Sequence, residues 1–93
     1  MLNKEQLRAA RSWLGLSQDE LAKISDVAPQ TIKNFERGAS APYARTLRDL
    51  QKSLEDLGIE FVFDEGEGVG IRVRRAARGR SKLKGEGVLT KRK

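Results

Sequence analysis

The 93-residue chain contains no cysteine and no histidine. Without cysteine there is neither a disulfide framework nor a thiolate metal site. Without histidine, the commonest general base and the commonest zinc ligand are missing together. Aromatic residues are few: one tryptophan, one tyrosine and three phenylalanines. No apolar run approaches the ~20 residues of a membrane span. The opening stretch "MLNKEQLRAARSW" lacks the apolar region of a signal peptide. "GEGVG" is not followed by the Gly-Lys-Ser/Thr of a phosphate loop and has no strand–loop–helix setting. We therefore expect no catalytic site, cofactor or metal, and a soluble protein of the cytoplasm that does not engage a membrane.

What is present is charge, and it is unevenly placed. Residues 1–64 hold nine basic and ten acidic side chains, whereas residues 65–93 hold ten basic and three acidic ones. A near-neutral globule with a basic extension points to nucleic acid as the partner, with an acidic membrane or protein surface as the alternative. The length allows one core. We divide the chain into a helical domain over 1–58, a strand pair over 59–75 that is a candidate dimerisation element, and a basic, disordered tail over 76–93.

Helix signals come in quick succession. Asn3 with Gln6 forms a capping-box pattern, Leu7, Ala10 and Leu14 share a stripe, and Gly15 ends the run. Ser17 with Glu20 repeats the pattern, and Leu21, Ala22 and Ile24 are the expected buried side of a second helix. The four-residue step "SDVA" follows, with Val27 as a core plug. Pro29 then suits the first position of a third helix, Ile32 and Phe35 face inward, and Gly38 stops it. After the loop "ASAP", Pro42 is read as opening a longer helix, over about 43–57, along which Leu47, Leu50, Leu54 and Leu57 recur at helical spacing. These leucines belong to the core, with one edge left for contacts between chains. Trp13 lies beside the first stripe and is read as packing over the end of that helix, with a partner surface as the alternative. "IEFVF" and "IRVR" alternate as strands do, and "DEGEGVG" reads as a turn-rich connector between them. The fold class is mainly α: a compact unit of four to five helices, then a short β-hairpin or strand pair, then a flexible basic tail.

Two short helices joined by a tight step bury little alone, but they brace each other at a steep angle and let the second project. That is a helix-turn-helix, with 29–37 as the element entering a DNA major groove. Gln30 and Asn34, one turn apart, carry amides able to pair bidentately with adenine, and Lys33 and Arg37 can reach guanine or a flanking phosphate. Thr31 offers a hydroxyl to phosphate or a methyl to thymine. Gln18, beside the free N–H groups that begin the second helix, forms a phosphate clamp. The backbone around Ser40, together with Tyr43 and Arg45, supplies further candidate phosphate contacts. Ile59, Phe61 and Phe63 need cover that a lone hairpin cannot give, so we expect a homodimer on a near-palindromic operator. In the tail, "ARGRSK" holds the Arg-Gly-Arg of an AT-hook without its prolines. Arg78, Arg80, Lys82 and Lys84 are accordingly read as a basic arm that tracks phosphates.

From Leu2 to about Leu57, "RAARSWLGLSQDELAKISDVAPQTIKNFERG", then Pro42 and "TLRDLQKSL", resembles the phage-repressor-like (Cro and repressor, XRE-type) helix-turn-helix family. With "LEDLGIEFVFDEGEGVGIRVR" added, the chain is similar to a subgroup of small bacterial regulators that carry a short strand pair after the helices. The resemblance implies a cytoplasmic, nucleoid-associated regulator of transcription, a repressor or autoregulator. It implies base reading by Pro29, Gln30, Lys33 and Asn34, phosphate contact by Gln18, and an ion pair between Arg11 and Glu36 that fixes the angle of the reading helix. An antitoxin or antiactivator, capturing a protein through helix 43–57 and the strands, is the alternative. Three positions depart from the family pattern. Ala28 has no capping oxygen, a loss of ~1 kcal/mol. Pro29 stands where a polar contact is usual, and the acidic "DEGEGVG" replaces the more usual Asn, Gly and Pro.

Overall fold

The computed structural model describes residues 1–74, so the tail, including Arg78, Arg80, Lys82 and Lys84, lies outside the described residues. Four helices precede an antiparallel hairpin: α1 (Lys4–Leu14), α2 (Gln18–Ser25), α3 (Pro29–Glu36), α4 (Ala44–Asp56), β1 (Ile59–Asp64) and β2 (Glu67–Val73).

The helix ends follow from local chemistry. Both capping boxes form, with Asn3 and Ser17 accepting from the Gln6 and Glu20 amides and the glutamine and glutamate side chains reaching back. α1 closes when Gly15, at φ 71°, lets the Leu16 N–H reach the Arg11 carbonyl at 3.0 Å and its own N–H reach Ser12. α3 closes the same way: Gly38, at φ 78°, donates to Phe35, and Ala39 donates to Asn34 at 2.9 Å. α2 ends differently, with Asp26 at φ 61° in the left-handed region, where a short polar side chain is tolerated at a cost. Ala28, before α3, makes no side-chain cap.

One core gathers Leu7 and Ala10 from α1, Leu21 and Ala22 from α2, Val27, Ile32 and Phe35, Leu47, Leu50 and Leu54 from α4, and Ile59 and Phe61 from β1. Four expectations need correction. Leu57, at the residue after α4, is only half-buried and stays outside this core. Ile24 is 48 % exposed, and its place in the core is taken by Ser25, whose hydroxyl donates to the Leu21 carbonyl at 2.7 Å. A serine that bonds its own helix backbone is neutral enough to bury. Trp13 remains 65 % exposed and so covers little of the helix end. Pro42 does not open α4, because Tyr43 behind it is still extended and the helix starts at Ala44.

The hairpin is also tighter than the sequence reading allowed. Asp64 pairs with Glu67, leaving only Glu65 and Gly66 in the turn, both with positive φ. That is the mark of a type I′ turn, which matches strand twist. Most of the expected connector is therefore strand. Between Val62 and Phe63 the register slips: Val62 faces Gly70, Phe63 faces Gly68, and Val69 is the extra residue of a bulge.

Cover for this hairpin comes from within the chain. The Gln6 side chain sits at the bulge and donates to the Val62 and Gly70 carbonyls, both at 3.0 Å, while Asn3 donates to Gly68. A Cβ built on Gly68 would run into the Gln6 carboxamide, so this position needs glycine for the close approach of α1. At the far end, the Arg74 N–H donates to the Gly58 carbonyl at 2.8 Å and its guanidinium to that of Glu55. Ile59 and Phe61 are thus buried by the helices themselves. Phe63, Val69 and Val73 keep more than a third of their surface exposed.

Candidate nucleic-acid interface

The third helix is anchored by one side and one end. Ile32 and Phe35 enter the core. Beside them Glu36, at 5 % exposure, carries a carboxylate into the protein. Arg11 meets it in a two-pronged pair: Nε donates to Oε2 and NH2 to Oε1, each at 2.8 Å, and NH1 goes to the Leu16 carbonyl. The Gln18 amide adds a third donor to Oε1 at 3.1 Å. The hydrogen bonds to Glu36 raise the Arg11 pKa above its already high ordinary value, against the opposing effect of burial, so the guanidinium stays charged at any physiological pH.

Arg8 contributes a contact that sequence reasoning missed. Its NH1 donates to the Glu36 backbone carbonyl at 2.6 Å, so a cation of α1 caps the carbonyl end of α3, where the helix dipole favours positive charge. Arg8 and Arg11 are one turn apart on α1, and that spacing is the signal that could have paired them. α1 therefore holds α3 by two arginines and the hairpin by Gln6.

The face turned away from the core carries the residues expected there. Pro29 occupies the first position of α3 and is exposed, as are Gln30, Lys33 and Arg37, while Thr31 and Asn34 are half-buried. Three of these side chains are linked: Asn34 Oδ1 accepts from Gln30 Nε2 at 3.1 Å and from Arg37 NH2 at 3.0 Å. Arg37 is the residue after the last helical turn rather than part of the helix. Ser40 is exposed, and its backbone N–H points back to the Asn34 carbonyl at 3.4 Å. Gln18 is half-buried and joined to Glu36, with its side-chain oxygen and second N–H outside that bond. Tyr43 and Arg45 stand exposed at the start of α4. The structure thus forms two groups, Arg11–Gln18–Glu36 within and Gln30–Asn34–Arg37 without.

Among the described residues no set of three or more acidic side chains is grouped to hold a metal ion, and no helix is long and apolar enough to cross a membrane. Comparison with curated proteins gives no match. The helix-turn-helix family model matches residues 7–60, from within α1 to the first strand. A domain of this kind binds DNA and is not catalytic. The match covers more than half of the chain and takes in the α2–turn–α3 unit with its outward amides, so the chain belongs to the helix-turn-helix family, with an XRE/Cro-type domain.

Proposed function

We propose that the protein is a sequence-specific transcriptional regulator, a repressor or autoregulator of the phage-repressor-like subgroup, that reads the major groove of double-stranded DNA with α3. One observation carries this reading. Gln30, Lys33 and Asn34 lie on the solvent side of a helix whose other side and end are fixed by Ile32, Phe35 and Glu36. A rigid helix presenting amides and a cation suits base-edge recognition. Pro29 adds an apolar contact, and Gln18, Thr31, Arg37, Ser40, Tyr43 and Arg45 flank it as phosphate ligands. Arg78, Arg80, Lys82 and Lys84 serve as a basic arm.

Two copies, related by a two-fold axis, place their reading helices ~34 Å apart on a near-palindromic operator. Phe63, Val69 and Val73, which the helices leave uncovered, supply apolar surface for that pairing. The same surface favours the second reading, in which the hairpin and α4 capture a different protein, as an antitoxin or antiactivator does. The regulator works in the cytoplasm, on the nucleoid.

Selection of bound fragments from random DNA tests the reading. An enriched motif that Gln30→Ala with Asn34→Ala abolishes supports it. Equal affinity for that motif and for random DNA at ~150 mM salt, where non-specific contacts are weak, overturns it. Partner capture that survives the double substitution identifies the second reading. A monomer by light scattering that grips a single half-site tightly rejects the two-fold arrangement.

A further inference from the structure

The geometry points to Arg37 as a positioning residue that sets the base preference of Asn34. This inference rests on α3 being the reading helix. An asparagine side chain has one acceptor oxygen with two lone pairs and one amino group with two donors. Both hydrogen bonds that reach the Asn34 side chain arrive at Oδ1, from Gln30 and from Arg37. A guanidinium can only donate, so the atom facing Arg37 must be the oxygen, and the orientation of the amide is thereby fixed. Oδ1 is saturated, and Asn34 is left with its amino group as a donor-only reader.

That changes what Asn34 selects. Bidentate pairing with adenine needs an oxygen to accept from N6 while the amino group donates to N7. With Oδ1 engaged, the adenine N6–H and the cytosine N4–H find no acceptor on Asn34. Guanine, with O6 and N7, and thymine, with O4, offer acceptors without a donor on that edge. Gln30 is in the opposite condition. It gives one N–H to Asn34 and keeps its oxygen and second N–H, the pair that adenine requires. Two amides one turn apart, equivalent by residue type, therefore read different bases, and the difference originates at a residue beyond the end of the helix. Lys33, between them, is also donor-only and reinforces the preference for guanine.

The test is selection from a randomised DNA library by the full chain and its variants, read as base frequency at each position. Asn34→Ala first identifies the position Asn34 reads, as the one whose preference disappears. The parent chain is expected to select guanine or thymine there. Arg37→Met releases one lone pair of Oδ1, and the adenine-to-guanine ratio at that position should rise about tenfold, the scale of one base-edge pairing. Loss of a positive charge lowers affinity at every sequence alike, so it does not imitate this change. Arg37 is exposed and outside the helix, and circular dichroism of the variant verifies the fold. Adenine or cytosine at the Asn34 position of the parent, a motif indifferent to Asn34→Ala, or a preference unchanged by Arg37→Met each overturn the inference while leaving sequence-specific binding intact. Absence of any enriched motif for the parent overturns both.

Discussion

Gln6 and Gly70, sixty-four residues apart, are joined by a hydrogen bond of 3.0 Å from the Gln6 side chain to the Gly70 carbonyl. The same amide nitrogen also reaches Val62, and the side-chain oxygen accepts from the Asn3 backbone N–H. A single buried carboxamide thus closes the capping box of α1 and fills the break in the hairpin ladder. Gln6→Glu keeps the acceptor for Asn3 but turns a carboxylate oxygen toward two carbonyls. It is expected to cost about 2–3 kcal/mol at neutral pH, measured by urea unfolding. The loss should shrink as the pH falls, because a protonated carboxyl restores one donor. A carboxyl whose pKa is raised in the folded state stabilises at low pH and loses that contribution as the pH rises through it.

Gly68→Ala probes the same junction from the other side. The added methyl displaces the Gln6 carboxamide and strands the carbonyls it serves. A loss of about 2–3 kcal/mol is expected. Gly70→Ala is the control, since nothing lies within reach of its Cβ, and it should cost far less.

The Arg11–Glu36 pair predicts an asymmetry. Arg11→Met leaves a buried carboxylate with only Gln18 as a side-chain partner, for an expected loss of about 3 kcal/mol. Arg11 itself keeps more contact with solvent, so Glu36→Met should cost less. The double substitution should be more stable than Arg11→Met alone. Thermal unfolding of the three variants gives the comparison.

Ala28→Ser supplies the missing cap of α3 and should add about 1 kcal/mol. Asp26→Gly removes the side-chain cost of the left-handed residue in the helix-turn-helix step, for a gain of about 0.5–1 kcal/mol. The sites are two residues apart, so additivity is measured by the double variant rather than assumed.

Deletion of residues 76–93 addresses the proposed basic arm. Affinity should fall at all DNA sequences and the salt dependence should flatten, since fewer counterions are released. The selected motif should not move, and a shifted motif would show that the arm reads bases.

What could be read in the sequence is governed by distance along the chain. Asn3 with Gln6 and Ser17 with Glu20 are three residues apart, and Pro29 and Gly38 act through their own backbone angles, so these boundaries needed no knowledge of the fold. Ile24 departs from expectation because hydrophobicity alone does not set which way a side chain faces. On an eight-residue helix the direction toward the core is set by Leu21, Ala22 and Ser25, and a serine that satisfies its own hydroxyl outranks an isoleucine pointing elsewhere. The glycines of "DEGEGVG" all read as turn formers. Only Gly66 serves the turn, while Gly68 gives room to Gln6, a need that arises from a partner sixty-two positions earlier.

The candidate site divides similarly. The exposed face of α3 follows from helical periodicity once Ile32 and Phe35 are known to face inward. The convergence of Gln30 and Arg37 on a single oxygen depends on side-chain rotation. Residue type and spacing do not encode that.

Arg74 has a practical consequence for anyone seeking the smallest autonomous fragment. The family match stops at residue 60, and cutting there would strip away Phe61 and the whole second strand, leaving Ile59 open to water and Gln6 without its acceptors. The globule is sealed only where Arg74 stitches back onto Glu55 and Gly58. Seventy-four residues, not sixty, are what must be kept for the helix-turn-helix half to stand by itself.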